Sequence, residues 1–173
     1  MQEEVLVAYA SKYGATGEIA ERIGQELREA EIDIEVKPVD QVSELANYGA
    51  VILGSAVYAG QWLKDAAEFL TNNERTLAQL PVWIFSSGPT GEGDPTDLMK
   101  GWRFPEALQP VADRIQPRQI AFFSGELDLR KLNLAEKLIV KAMKAPTGDY
   151  RDWEAIEAWT RDIADSLKKE QAA

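Results

Sequence analysis

The stretch VLVAYASKYGATGEIAERIGQEL, Val5 to Leu27, constrains the fold more than any other. An unbroken apolar run, Val5-Leu6-Val7-Ala8-Tyr9, ends at Ala10. A strand without polar alternation is buried on both faces, which happens in parallel sheets covered by helices on each side. Six small or polar residues follow, Ser11 to Thr16. Then Ile19, Ala20, Ile23, Leu27 and Ala30 recur every three to four positions, the apolar face of a helix. A bare strand-to-helix turn needs fewer residues, and three of these six carry hydroxyls.

The strand-then-helix alternation continues. Ile32 to Val39 alternates as a second strand, Ala50-Val51-Ile52-Leu53-Gly54 is a third, Pro81 to Phe85 a fourth and Ile120 to Phe123 a fifth. Trp62, Ala66, Phe69 and Leu70 mark one further helix. Trp153, Ile156, Trp159, Ile163 and Leu167 line the last, with Asp152 as its cap. Repeated units of this kind predict an α/β fold: a doubly wound, five-stranded parallel sheet in the order 2-1-3-4-5 with helices on both faces. At 173 residues the chain makes a single domain, 1–173. Gly88 to Pro117 holds five of the eight prolines and reads as an ordered excursion with one short helix.

Composition narrows the chemistry. With no histidine and no cysteine there is no Ser-His or Cys-His nucleophile, no imidazole base and no ordinary zinc site. Catalysis in such a chain falls to a cofactor. A formal charge of −10 argues against nucleic acid as partner, because a phosphate backbone attracts basic surfaces. No apolar run reaches the length of a membrane span, the acidic start does not read as a signal peptide, and the absence of cysteine points to the cytoplasm.

In an open doubly wound sheet, ligands bind beyond the carboxyl ends of the strands. Three loops lie there: Ser11–Thr16, Ser55–Trp62 and Ser86–Asp94. The first enters a helix N-terminus, where unpaired N–H groups and the helix dipole favour a phosphate. Gly14 lets the backbone approach an anion, and Ser11 and Thr16 offer hydroxyl donors. The alternative is a simple turn with Thr16 as cap. No G-x-x-x-x-G-K-[ST] or G-x-G-x-x-G pattern is present, which excludes the P-loop and dinucleotide fingerprints. A receiver domain would need acidic residues where Ala10-Ser11 and Gly54-Ser55 stand. In the second loop Tyr58 is a candidate to stack on a planar ring, while Trp62 either does the same or packs inward. The third loop offers backbone amides to ring heteroatoms. Its Glu92 and Asp94 read as solvated charges.

SKYGATGEIA, GSAVYAGQW, FSSGPTGEGDP and DWEAIEAWTRDIA together resemble the flavodoxins, and within them the branch containing menaquinone-dependent protoporphyrinogen dehydrogenases. The resemblance runs nearly the whole length. It implies FMN as cofactor, with the phosphate in the first loop at Ser11, Lys12, Tyr13, Gly14, Ala15 and Thr16. Tyr13 stands where the family pattern has its middle hydroxyl. By the same analogy the flavin ring contacts come from Ser55, Ala56, Val57, Tyr58, Ala59 and Gly60, and from Ser87, Gly88, Pro89, Thr90 and Gly91. The implied function is electron transfer between protein redox partners or to a quinone. The alternative is an FMN-dependent protoporphyrinogen or quinone oxidoreductase. Each carboxylate near the flavin would oppose its anionic reduced form by on the order of 1 kcal/mol, about 40 mV for one electron.

Arg130 to Lys144 carries five basic residues against one acidic on an amphipathic pattern. The reading expected for it is an ordinary helix covering the sheet with a solvated basic face; contact with a membrane or an acidic partner is the other option. Glu126 to Tyr150 exceeds what a minimal flavodoxin needs, so partner or substrate specificity is expected there.

Overall fold

The computed structural model describes residues 3–172. Its sheet strands are β1 (Glu4–Ala10), β2 (Ile34–Pro38), β3 (Tyr48–Tyr58), the two-residue β4 (Gln61–Trp62), β5 (Val82–Ser87) and β6 (Gln119–Phe123). The helices are α1 (Ala15–Glu29), α2 (Lys64–Asn72), α3 (Glu74–Leu77), α4 (Pro95–Leu98), α5 (Gln109–Ile115), α6 (Leu134–Met143) and α7 (Trp153–Ala172). A separate ribbon pairs β7 (Glu126–Leu127) with β8 (Gly148–Asp149). The five long strands are parallel and ordered β2-β1-β3-β5-β6, the predicted 2-1-3-4-5 arrangement, and β4 adds antiparallel to β3.

Side-chain alternation along the strands feeds two cores. Val5, Val7, Ile52 and Phe85 point to the layer of α1 and α7, against Ile19, Ile23, Ile156 and Ile163. Leu6, Ala8, Leu53 and Ile84 point to the opposite layer, against Ala66 and Leu70 of α2 and Val111 and Ile115 of α5. Each such fully buried aliphatic side chain contributes about 1.5–3 kcal/mol relative to exposure. Gly54 is required where β3 passes β5, since a Cβ there would lie 2.0 Å from the Phe85 ring.

Several details depart from expectation. β2 begins at Ile34, because Glu31 takes a positive φ of 65° and turns the chain after α1. Pro81 lies just before β5, its carbonyl accepting from Val51 N–H. The excursion forms α4 and α5 and a 3-10 turn at Glu106–Leu108 instead of one helix; Asp94 caps α4 by accepting from Thr96 N–H. Asp152 accepts from Ala155 N–H at the start of α7, as expected of a cap. The largest correction concerns Arg130–Lys144. It does not cover the sheet: α6 has no buried residue, and its large apolar side chains face outward.

Candidate functional site

Strand register brings the three loops to one edge. Ala10 aligns with Ser55, Ser55 with Ser86, Ala56 with Ser87, and Ser87 with Phe123. The first loop ends at Gly14, the N-cap of α1, with φ 92° and open space where a Cβ would stand. Ser11 Oγ accepts from Gly14 N–H at 3.0 Å, which leaves its own proton to donate. Thr16 does not cap the helix; it is buried in the first turn. The earliest α1 bond among the turn and cap contacts is Glu18 N–H to Gly14 carbonyl, so the amides of Ala15, Thr16 and Gly17 have no intrahelical acceptor. The one carboxylate of that turn, Glu18, is paired with Arg151. An anion-binding nest with its nearby negative charge neutralised suits a phosphate.

Lys12 and Tyr13 point away along the surface to Glu136 of α6. Tyr13 donates its hydroxyl hydrogen to Glu136 Oε2, and Lys12 Nζ lies 3.3 Å from the same oxygen. The other oxygen, Oε1, accepts from Asn133 N–H while Asn133 Oδ1 accepts from Glu136 N–H, a complete capping box. The Asn133 amide, then Lys12, hold the Glu136 carboxyl below the usual carboxylate range. One carboxylate thus ties the start of α6 to the first loop.

The second loop is a tight hairpin. Ala59 and Gly60 both have positive φ, 51° and 73°, between the paired Tyr58 and Gln61, the backbone sense that matches strand twist. Trp102 Nε1–H donates to Gly60 carbonyl at 3.1 Å and holds the hairpin against the excursion. Tyr58 stands exposed at its tip, edge-on to Tyr13 with centroids 6.3 Å apart, and Lys12 Nζ lies 5.8 Å from its centroid. Partial burial pushes the Tyr58 hydroxyl up, and Lys12 opposes the shift. Trp62 packs inward and donates to Ser86 Oγ at 2.8 Å. Ser55 Oγ is wholly engaged inside, donating to Ala56 carbonyl and accepting from Leu63 N–H. Ala56 and Val57 are buried strand residues. Backbone groups are therefore what Ser55–Val57 can offer a ligand.

The third loop is fastened to the end of β6: Gly88 N–H donates to Phe123 carbonyl and Gly125 N–H to Pro89 carbonyl. Ser87 is buried, Pro89 and Thr90 half-buried, and Gly91 turns with φ 125°. Glu92 and Asp94 are exposed. Beyond Gly91 a cleft of about 630 Å³ opens, bounded by Arg103, Phe122, Phe123, Ser124 and Tyr150. That volume is ordinary for a small-molecule site.

Two residues that matter here escaped the sequence reading. Glu136 could have been found from Asn133-x-x-Glu136, a capping-box signature. Arg151 gave no signal. Its side chain is 5% exposed, and its guanidinium binds Glu18, Glu126 and Asp149, donates to Ala15 carbonyl at 3.3 Å and lies 4.8 Å from the Trp153 ring centroid. It fastens the β7–β8 ribbon to the first turn of α1.

Comparison with known proteins agrees with this geometry. The chain is 24% identical to protoporphyrinogen IX dehydrogenase [quinone] of Escherichia coli K12 over 93% of its own length and 94% of the relative's. Among solved structures, a flavodoxin from the domain Archaea superposes with TM-score 0.60 at 16% identity, covering 95% of this chain and 99% of that one. Rubredoxin oxygen:oxidoreductase from Desulfovibrio gigas gives 0.64 at 17% identity, over 98% of this chain and 37% of that one. The flavodoxin-domain family model matches residues 6–154, and the chain belongs to the flavodoxin family.

Proposed function

We propose that this protein binds FMN and carries electrons between redox partners. The observation that carries the reading is the meeting of an open, amide-rich α1 N-terminus at Gly14 with the exposed Tyr58 ring at one edge of the sheet. Ser11, Thr16 and the amides of Ala15 to Gly17 would hold the phosphate; Tyr58 would flank the ring, with backbone groups of Ala56–Gly60 and Ser87–Gly91 around it. When bound, FMN supplies one- or two-electron chemistry. The chain's part is to bind, to orient and to set the charge around the site.

Calorimetric titration with FMN and with riboflavin, which lacks the phosphate, tests this assignment. Two or more charge-assisted bonds to phosphate, at about 1.5–3 kcal/mol each, predict FMN binding at least a hundredfold tighter. Equal affinities would reject the phosphate role of the first loop.

The cleft beyond Gly91 favours a second reading, an FMN-dependent oxidoreductase acting on a small organic substrate. The similarity to a quinone-linked protoporphyrinogen IX dehydrogenase makes protoporphyrinogen with a quinone acceptor the first pair to assay. Sustained turnover would establish the enzyme; none with any quinone would leave the carrier.

A further inference from the structure

The one proton of the Tyr13 hydroxyl goes to Glu136 Oε2, on a residue 123 positions later in the chain. Lys12 Nζ lies 3.3 Å from the same oxygen, and the other oxygen accepts from Asn133 N–H. Both oxygens of a carboxylate that is 24% exposed are therefore engaged. A single side chain of α6 thus grips both side chains that precede Gly14. Tyr13 in turn stands edge-on to Tyr58, with centroids 6.3 Å apart and ring planes at 81°. Lys12 Nζ lies 5.2 Å from the Tyr13 centroid and 5.8 Å from that of Tyr58. Trp102 fastens the backbone of the second loop at Gly60, while Tyr13 and Lys12 meet its ring.

We infer that Glu136 is a positioning residue for the ring that flanks the flavin: by holding Tyr13 and Lys12 it fixes Tyr58 before FMN arrives. The inference rests on the flavin site proposed above. A ring 43% exposed at a hairpin tip would otherwise sample several rotamers, and each side chain ordered on binding weakens affinity. A ring ordered in advance avoids that loss. Edge-on packing and a nearby cation are favourable contacts for an aromatic ring, and a phenol donating to an ionised carboxylate belongs to the stronger class of hydrogen bond. Tyr13 is thereby assigned to the ligand's ring and not to its phosphate. Glu136 acts at a distance, through Tyr13 and Lys12, and its second task, capping α6, is separable from the first.

The test uses the full chain with isotope-labelled tyrosine rings, free of FMN, in a magnetic resonance spectrum. Five tyrosines are present, and the Tyr58 signal is the one lost in Tyr58→Ala. Tyr13→Phe removes only the hydroxyl and leaves both rings and the α6 cap. Glu136→Gln keeps a cap, since glutamine serves at that place in a capping box, but it has one acceptor oxygen where two are in use. Both variants should move the Tyr58 signal toward that of a freely turning ring. Calorimetry should then show each binding FMN about two- to fivefold more weakly, with no further loss from either change once Tyr58 is alanine. A Tyr58 signal unmoved in Tyr13→Phe overturns the proposal. So does an equal loss of FMN affinity with and without the Tyr58 ring, which would make Tyr13 a direct phosphate contact. A wild type that binds no FMN would end the proposed function instead, and ring signals recorded without FMN keep the two failures apart.

Discussion

Replacing Arg151 by Met should cost more stability than any other single change outside the core. The substitution keeps an apolar stem beside Trp153 and removes only the guanidinium, which binds three carboxylates and one carbonyl from a position 5% exposed. Stripping the partner from a buried ion pair costs about 3–5 kcal/mol, because the remaining charge stays desolvated. Glu126, at 16% exposure, comes nearest that case but keeps Lys131 at 3.3 Å, so its share falls to about 1–2 kcal/mol; Glu18 and Asp149 are largely hydrated and lose on the order of 0.5 kcal/mol each. Together these give about 2–3 kcal/mol, or roughly 5–10 °C in Tm for a chain of this size. The pH dependence follows from Asp149, whose carboxyl the Arg151 side chain holds below the usual carboxylate range. A depressed acid stabilises the fold above its unfolded pKa and stops doing so as pH falls through the folded value. The gap between wild type and Arg151→Met should therefore be full above the ordinary carboxylate range and narrow, by the share Asp149 supplies, as pH falls below it. Arg151→Lys should recover only part of it, since an ammonium cannot reproduce the fork. Thermal unfolding followed by circular dichroism across that range is the assay. A loss under 1 °C at neutral pH (about 0.3 kcal/mol at this size), or a gap that does not narrow at all in acid, would refute the hub.

Other consequences are simpler. Gly54→Ala places a methyl against the Phe85 ring in a filled core and should cost at least about 2 kcal/mol in urea unfolding. Tyr58→Ala removes the exposed ring of the second loop and should weaken FMN by about two- to tenfold in calorimetry with stability unchanged, in line with 0.5–1.5 kcal/mol for a stacked pair. Burial and the neighbouring Glu35 push the Tyr48 hydroxyl far up, so ultraviolet titration should show a late tyrosine step that Tyr48→Phe abolishes. With a chain charge of −10, the last reduction step of bound FMN should lie below that of free FMN and rise with added salt; a potential above free FMN would contradict the electrostatic reading.

The sheet was legible because its strands are buried on both faces, and Val5–Tyr9 and Ala50–Gly54 cannot sit elsewhere without exposing apolar residues. The meeting of the three loops at one edge was legible because they follow parallel strands in register, Ala10 beside Ser55 and Ala56 beside Ser87, and Gly14 starts α1 as the strand-to-helix spacing implied. Other features were hidden for physical reasons. Periodicity gives α6 an apolar side but does not say which way it turns, and a capping carboxylate reaching to Lys12 and Tyr13 turned that side outward. The inward turn of Trp62 depends on Ser86, 24 residues away in sequence. Arg151 gathers partners from α1, β7 and β8, which no local pattern reports.

Every functional proposal made for this protein depends on a flavin site at the three loops. Its test is the visible spectrum of the purified protein, loaded with FMN and passed through gel filtration. Two flavin bands should remain with the protein at one FMN per chain, and should fall sharply when Gly14 is replaced by Val. A folded wild-type protein that releases all its FMN on the column would contradict it.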